Sequence, residues 1–283
     1  QTDFPGIFYP YGNEDTKNPA EYFGSSPLIP LAQPFVYFGF IYNQLHVNNK
    51  GYLTFNGPFS KSYPNYFPAY STRDIIAPLW TNIDITNKGT ISYRLVTDSH
   101  LLNRASKDIN QYYPNLNFSA SWVFIATWDK VPNYIYRQKV KTISHSTFQV
   151  VLVSGKNMSF TLMHYGHIGP SGYDTSDSTD FFSIPVSDVT YLSYTSNVNV
   201  TGRWVFRVDY ASDNNVTNDI RQYFPNTNFS ANSVFICTWG NVKYFGTSAQ
   251  VRLITLFVFS CLLTDNLMFV LFFFFRIPLF KYC

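Results

Sequence analysis

Cysteine is absent from the first 236 residues of this 283-residue chain. The main globular part therefore cannot depend on a disulfide framework and must be held together by packing, which roughly 200 residues can achieve. The three cysteines, Cys237, Cys261 and Cys283, all lie near the C-terminus, and their odd number fits no obvious pairing scheme.

Charged residues are also scarce. They make up 13% of the chain, the net charge is +3, and the lysines and arginines are scattered singly. The sequence therefore shows no surface for nucleic acid, and it indicates no polyanion partner. The sequence starts at Gln1, without an initiator methionine and without a charged and apolar leader. We therefore expect either that a signal peptide has been removed or that the sequence is a fragment of a longer protein.

Enzyme motifs are missing as well. The stretch Gly169-Pro170-Ser171-Gly172 has the wrong spacing for a serine nucleophile elbow, and the sequence contains no phosphate loop or dinucleotide fingerprint. His164 and His167 have metal-ligand spacing for a helix, but this segment has a strand pattern, which places residues three apart on opposite faces. We therefore predict that His164 is a core histidine.

The acidic residues offer no clearer site. Asp174, Asp177 and Asp180 are three residues apart, whereas a calcium loop of the EF-hand type needs alternate positions. Asp84 and Asp129 end two predicted strands and are only weak candidates for a shared cation. The sequence thus predicts a protein that is not an enzyme and that has no cofactor and no metal.

What the chain does contain is apolar and aromatic residues, 46% and 19% respectively, enough for a substantial core. The clearest hairpin is centred on Asn49-Lys50-Gly51, where Gly51 suits the left-handed backbone of a bulged turn. Upstream, residues 35–42 are apolar on both faces and predict one strand covered on both sides.

Further short strands, one helix over residues 103–113 and a second hairpin at residues 148–165 complete the pattern. In that hairpin we expect Gln149, Ser159 and Thr161 to face outward, as we do Arg203, Arg207 and Asp209 in the last strand. The predicted fold class is mainly β, an antiparallel β-sandwich with a short helical insertion.

The sequence then repeats itself. Residues 218–242 match residues 107–131 at a constant offset of 111, with sixteen of 25 positions identical. We interpret residues 210–250 as a partial duplication of residues 99–139. A lone helix and strand cannot bury both apolar faces, so the copy must find packing partners or remain poorly ordered.

The tail from Leu253 to Phe275 is long enough to span a bilayer as a C-terminal hydrophobic helix. Asp265 near its centre opposes insertion, while the seventeen Leu, Ile, Val, Phe and Met residues favour it. We therefore expect residues 251–283 to form a transmembrane segment and a short tail. The alternative is translated non-coding sequence.

Four blocks of sequence occur in an order that carries a family resemblance: PFVYFGFIYNQLHVNNKGYLTF, IIAPLWTNIDI, VFIATWDKVPNY and TFQVVLVSGKNMSFTLMHYGHI. Together they resemble the NIDO module of nidogen, alpha-tectorin and related matrix and mucin-like proteins. The resemblance runs from about Phe8 to Asp209, so we assign residues 1–209 to this domain. It implies a non-enzymatic extracellular module for cell–matrix adhesion or matrix assembly, with matrix or cell-surface proteins as partners. The hydrophobic tail would add a single-pass membrane tether that leaves the N-terminal domain outside the cell.

Two other functions stay open. One is a secreted glycan-binding module that uses the loop aromatics Tyr63, Tyr66 and Tyr70, and a hydrolase with paired carboxylates ranks below it. The chain could also be the N-terminal fragment of a larger alpha-tectorin-like matrix protein. Sequons predict glycosylation at five asparagines: Asn117, Asn157, Asn199, Asn215 and Asn228. Of these we expect Asn157, at the tip of a turn, to be accessible.

Overall fold

The computed structural model describes residues 6–62, 74–137, 140–170, 184, 186, 188–209, 233–243, 250–263 and 267–273. Its two main sheets are antiparallel, one of six strands in the order β1-β6-β7-β8-β9-β10 and one of four in the order β2-β3-β4-β5. The strands are β1 Thr16–Lys17, β2 Ile29–Tyr37, β3 Phe40–Asn48, β4 Tyr52–Thr54, β5 Ile75–Ile76, β6 Thr90–Val96, β7 Trp122–Arg137, β8 Val140–Gly155, β9 Met158–Tyr165 and β10 Arg203–Arg207. The mainly β prediction is confirmed.

The largest buried cluster combines side chains from both sheets, including Leu45 and Leu53 from the smaller sheet and Trp122 and Trp128 from the larger. The rings of Phe35 and Trp122 join the two layers with centroids 5.8 Å apart. Packing of two sheets around one core is the arrangement expected of a β-sandwich.

Helix α1, Ser99–Tyr112, covers the other face of the larger sheet. Its N-terminus is capped by the Asp98 carboxylate, which accepts hydrogen bonds from the backbone N–H groups of His100 and Leu101. Ala105 and Ile109 lie one turn apart on its buried face. The predicted helix is confirmed, and the Asp98 cap starts it four residues earlier than expected.

The central hairpin is confirmed, but the segment before it is not a single strand. β3 and β4 pair at Asn48 and Tyr52 around the predicted turn, and Gly51 has a φ of 89°. Upstream, Phe38 and Gly39 have φ values of 45° and 80° and form a two-residue turn between β2 and β3. Positive φ at both positions is typical of a tight hairpin, which here folds an apolar run onto itself.

The side chains that we expected to face outward from β8 and β9 are buried. Gln149 lies on the face of α1, where the N-terminal segment covers it: its amide accepts from Tyr9 N at 2.8 Å and donates to Tyr9 O at 3.0 Å. Ser159 and Thr161 lie on the opposite face, toward the smaller sheet, and Ser159 Oγ accepts from Val36 N of β2 at 3.1 Å. The outward prediction for Gln149, Ser159 and Thr161 was wrong.

Two charged residues of the last strand are also buried rather than exposed. Arg203 lies 3.4 Å from Asp108 of α1 and donates to Ile7 O at 2.9 Å. Asp209 accepts a pair of hydrogen bonds, both 2.8 Å, from the guanidinium of Arg207. Burial of these charges is stabilised by their partners, which strand alternation alone does not reveal.

The C-terminal prediction of a hydrophobic helix is wrong. The tail forms β12, Gln250–Leu263, and β13, Leu267–Phe273. β12 lies between the copied strand β11, Ser233–Lys243, and β13, and pairs antiparallel with both. The abundant Phe, Val, Ile and Thr favour strands, and β11 offers backbone groups for pairing. Among the residues that the structure describes, no helix combines the length and apolar character needed to cross a bilayer.

Candidate functional site

The turn of the central hairpin encloses a buried lysine. The Lys50 side chain is fully buried, and its Nζ donates to Ile83 O at 2.6 Å and to Asn82 Oδ1 at 3.2 Å. The Tyr22 ring lies over the ammonium, with its centroid 3.4 Å from Nζ. We call Tyr22, Lys50, Asn82 and Ile83 the Lys50 cage. Two oxygens and a π-face stabilise the cation there in place of water.

Burial has a direct electrostatic effect on this lysine. Desolvation lowers the pKa of Lys50 from 10.5 to about 8, although the nearby negative charge of Asp84 opposes the shift. The contacts of the Lys50 cage therefore offset part of the free energy that desolvation of the ammonium costs.

The lead-in before β2 closes the cage. The Asn49 amide donates to Pro19 O at 3.0 Å and to Glu21 O at 2.8 Å, and Tyr22 Oη donates to Asn82 Oδ1 at 2.7 Å. Phe23 is 57% exposed beside the buried Tyr22–Lys50 contact. The Lys50 cage is thus formed by packing within the fold itself, and beside it the ring of Phe23 faces the solvent.

A second buried network surrounds His164, as predicted for a core histidine. Gln149 Oε1 lies 3.1 Å from His164 Nδ1, and because the amide oxygen only accepts, Nδ1 carries the proton. The Tyr9 ring stacks on the imidazole with centroids 5.7 Å apart. Burial, reinforced by the positive charges of Arg203 and Arg104, holds the pKa of His164 well below its ordinary value. The imidazole is therefore neutral, while His167 is exposed after the strand ends.

Asp84 and Asp129 bind separate groups. Asp84 Oδ1 accepts from the backbone N–H and hydroxyl of Thr86 at 3.0 and 2.7 Å. Asp129 Oδ1 accepts from Tyr11 Oη and Thr147 Oγ1, both at 3.5 Å. Within the described ranges, no group of three or more His, Cys, Asp or Glu side chains could hold a metal ion. The loop residues Asp174, Asp177, Asp180, Tyr63, Tyr66 and Tyr70 lie outside the described residues.

The distal halves of β7 and β8 form a hairpin arm that the sequence did not predict. β6 pairs with β7 only as far as Asp129, and β9 pairs with β8 only from Phe148. Beyond these points β7 and β8 pair with each other over residues 131–137 and 140–146, which we call the arm. The β-forming residues on either side of 138–139, Tyr-Ile-Tyr at 134–136 and Val, Thr and Ile within 140–143, were the signal for it.

The base of the arm is anchored by the rest of the fold, and among the described strands the outer part of the arm has its backbone pairing between β7 and β8 alone. Asp84 N donates to Pro132 O at 3.2 Å, and the Asn133 amide donates to Ser146 Oγ at 2.9 Å. Gly169 N bonds His145 O at 3.1 Å on the other strand. The four outer register pairs run from Tyr134 opposite Ile143 to Arg137 opposite Val140.

Three sequon asparagines lie on exposed turns of the described fold. Asn117, Asn157 and Asn199 are exposed, with φ values of 46°, 62° and 57°. Lys156 Nζ donates to Asn117 O at 2.8 Å, so the turns that carry Asn117 and Asn157 adjoin each other. Exposure therefore extends beyond Asn157, the one site expected to be accessible. Asn215 and Asn228 lie outside the described residues.

The fold and these surfaces define a β-rich module of two antiparallel sheets and one helix, whose buried polar groups serve its packing. A family model for the nidogen-like domain, NIDO, matches residues 43–210 and again residues 211–274. The chain belongs to the NIDO family, which confirms the resemblance drawn from its sequence blocks. The second match includes β11, β12 and β13.

Individual relatives agree with this assignment. Mouse alpha-tectorin is 37% identical over 227 residues, which cover 72% of this chain and 10% of that protein. Dendrite extension defective protein 1 of Caenorhabditis elegans is 28% identical over 188 residues, covering 64% of this chain and 16% of that protein. Drosophila melanogaster nidogen is 28% identical over 207 residues, covering 64% and 15%.

These relatives are NIDO-containing extracellular proteins. The chain spans about a tenth of the length of the alpha-tectorin that it matches. No solved structure matches the chain.

Proposed function

We propose that this chain is an extracellular module that takes part in matrix assembly or cell–matrix adhesion by binding matrix or cell-surface proteins. The observation that carries the proposal is the NIDO match over residues 43–210, together with the 37% identity to alpha-tectorin. The NIDO domains of alpha-tectorin and nidogen are structural matrix modules. The fold suits such a role, since its packed sheets support the exposed turns that connect their strands.

The division of the chain is part of the proposal. Residues 1–209 form the module, and a partial copy of residues 99–139 begins at residue 210. Because the second family match continues to residue 274, we extend the copy through β12 and β13, whose order with β11 repeats that of β7, β8 and β9. Limited proteolysis tests the boundary: we expect a stable fragment that ends near Asp209, and a first cleavage inside residues 90–165 would contradict it.

Matrix incorporation tests the function. The full chain, secreted with an epitope tag from cultured epithelial cells, is expected to remain with the detergent-insoluble matrix after deoxycholate extraction. The matched control is Gly51→Val, which places a branched side chain against Leu79 O and disrupts the central hairpin. Complete recovery of the wild-type chain in the medium would contradict a matrix role.

A further inference from the structure

We propose that residues 6–11, which we call the strap, are a transferable peptide: the groove that they fill can take the same residues of a second copy, and this exchange links two chains. The groove lies on the larger sheet beside α1 and is lined by Arg94, Arg104, Asp108, Gln149, His164 and Arg203. The inference rests on the proposed matrix function and names a second copy of the chain as one partner in it.

The first observation is the way in which the backbone of the strap is held. Each of the successive carbonyl groups of residues 6–10 accepts a hydrogen bond from a side chain of the groove. The donors are Arg104 to Gly6 O at 3.2 Å and to Phe8 O at 3.0 Å, Arg203 to Ile7 O at 2.9 Å, Gln149 to Tyr9 O at 3.0 Å, and Arg94 to Pro10 O. Among the residues that the structure describes, no backbone-to-backbone hydrogen bond involves the strap. The strap is therefore held like a bound peptide, by side chains that contact its backbone, and not like a strand of the sheet.

The second observation is a pocket for one aromatic side chain. The Tyr9 ring is fully buried, and its centroid lies 5.7 Å from that of the His164 imidazole and 4.2 Å from the guanidinium carbon of Arg104. Tyr9 Oη donates to Asp108 Oδ2 at 3.0 Å. A buried aromatic ring whose polar end is hydrogen-bonded is a frequent anchor at binding interfaces. The groove therefore has a defined specificity, for a tyrosine in the middle of the segment that it binds.

The third observation is the short link between the strap and β1. Residues 12–14 are exposed, and a Cβ added at Gly12, which has a φ of 152°, would contact nothing within 4 Å. Because glycine adopts many backbone conformations, the link can open while β1 stays paired with β6.

Exchange preserves every contact of the strap, since the groove of the second copy is identical. Its cost is therefore mainly the entropy of associating two chains. A strap on a short link acts at an effective concentration of the order of 1 mM, so a second copy competes where chains are concentrated to that level. An assembling matrix is such a place.

Two complementary variants of the full chain provide the test. Tyr9→Ala keeps the groove but loses the anchor of the strap, and Arg104→Ala/Gln149→Ala keeps the strap but loses the donors to three of its carbonyls. Light scattering after size exclusion, at about 100 µM, measures their mass well below the effective concentration of a tethered strap. We expect each variant alone to be monomeric and their equimolar mixture to form a dimer with one chain of each kind. The matched control, Lys107→Ala at an exposed position of α1, should not dimerise with Tyr9→Ala, because its strap stays in its own groove.

A synthetic peptide of residues 6–12 separates exchange from other association. An excess should dissolve the mixed dimer, and it should bind Tyr9→Ala at least about tenfold more tightly than the same peptide with alanine in place of Tyr9, which lacks the buried ring and its hydrogen bond. The peptide should also raise the melting temperature of Tyr9→Ala, so the test holds even where the vacant groove destabilises that variant.

A mixture that stays monomeric overturns the proposal, as does a mixed dimer that the peptide leaves intact or equal binding of the two peptides. If the wild-type chain enters the matrix while the mixture stays monomeric, only this inference fails. Absence of the wild-type chain from the matrix removes the proposed function itself, whatever the mixture does.

Discussion

The buried ammonium of Lys50 makes the stability of the fold depend on pH in an unusual direction. The pKa of Lys50 is about 8 in the folded chain, whereas an exposed lysine, as in the unfolded chain, has a pKa of 10.5. Between these values the unfolded chain still holds a proton that the folded chain has released, so raising the pH favours the folded state. The penalty for the buried charge is fully present below pH 8 and disappears as the pH approaches 10.5.

The size of the effect follows from the shift. One pKa unit corresponds to about 1.4 kcal/mol, and linkage over pH 7.5 to 9.5 recovers up to about 2 kcal/mol of unfolding free energy. Solvent screening beside the exposed Phe23 reduces this to between about 1 and 2 kcal/mol. Above pH 10 the unfolding free energy should fall again as the pH rises. Burial raises the pKa values of Tyr9 and Tyr11, so their phenols lose protons in the unfolded chain before they do in the folded chain, which favours unfolding.

Urea unfolding followed by tryptophan fluorescence at pH 7.5, 8.5 and 9.5 measures this dependence. The control is Lys50→Met, which retains an unbranched side chain of similar length without the charge. We expect the unfolding free energy of the wild-type chain to rise with pH and that of the variant to stay flat in this window. A flat wild-type profile, or the same rise in Lys50→Met, would refute the role assigned to Lys50.

Three further changes test local parts of the fold. Gly51→Ala should cost about 3 kcal/mol of unfolding free energy, because a Cβ there would lie 1.8 Å from Leu79 O at a φ of 89°; a melting temperature within two degrees or so of the wild type would contradict this. Asp98→Ala should cost about 1 kcal/mol through loss of the helix cap, and Asp98→Asn should retain most of it, as thermal unfolding can show. In a secreted chain, mass spectrometry should find one glycan fewer for each Asn→Gln change at an occupied sequon, and an unchanged mass marks that site as unused; the three described sites are Asn117, Asn157 and Asn199.

Local patterns in the sequence were sufficient for the central hairpin and the helix. Gly51 after two polar residues indicates a turn whatever the tertiary contacts, since glycine adopts a positive φ without a steric cost. Ala105 and Ile109 share a face because the helical period places them one turn apart. The family blocks depend on the same local order and were recognisable before the fold was known.

Other features depended on segments distant in sequence. Alternation places Gln149 and Arg203 on an outer face, but Tyr9 and Ile7 of the N-terminal segment cover that face. An apolar run such as residues 253–275 suits either a helix or buried strands, and pairing with β11 selects strands. No local rule anticipates such cover, because it depends on which partner the chain brings there.

The sequence by itself therefore determined the family, the central hairpin and the helix, since these arise from neighbouring residues. Only the tertiary structure decided that Lys50 is enclosed by Tyr22 and Asn82, and that Gln149 and Arg203 are covered by the N-terminal segment. The physical reason is that burial is a property of the space around a residue, which segments far apart in the chain create together.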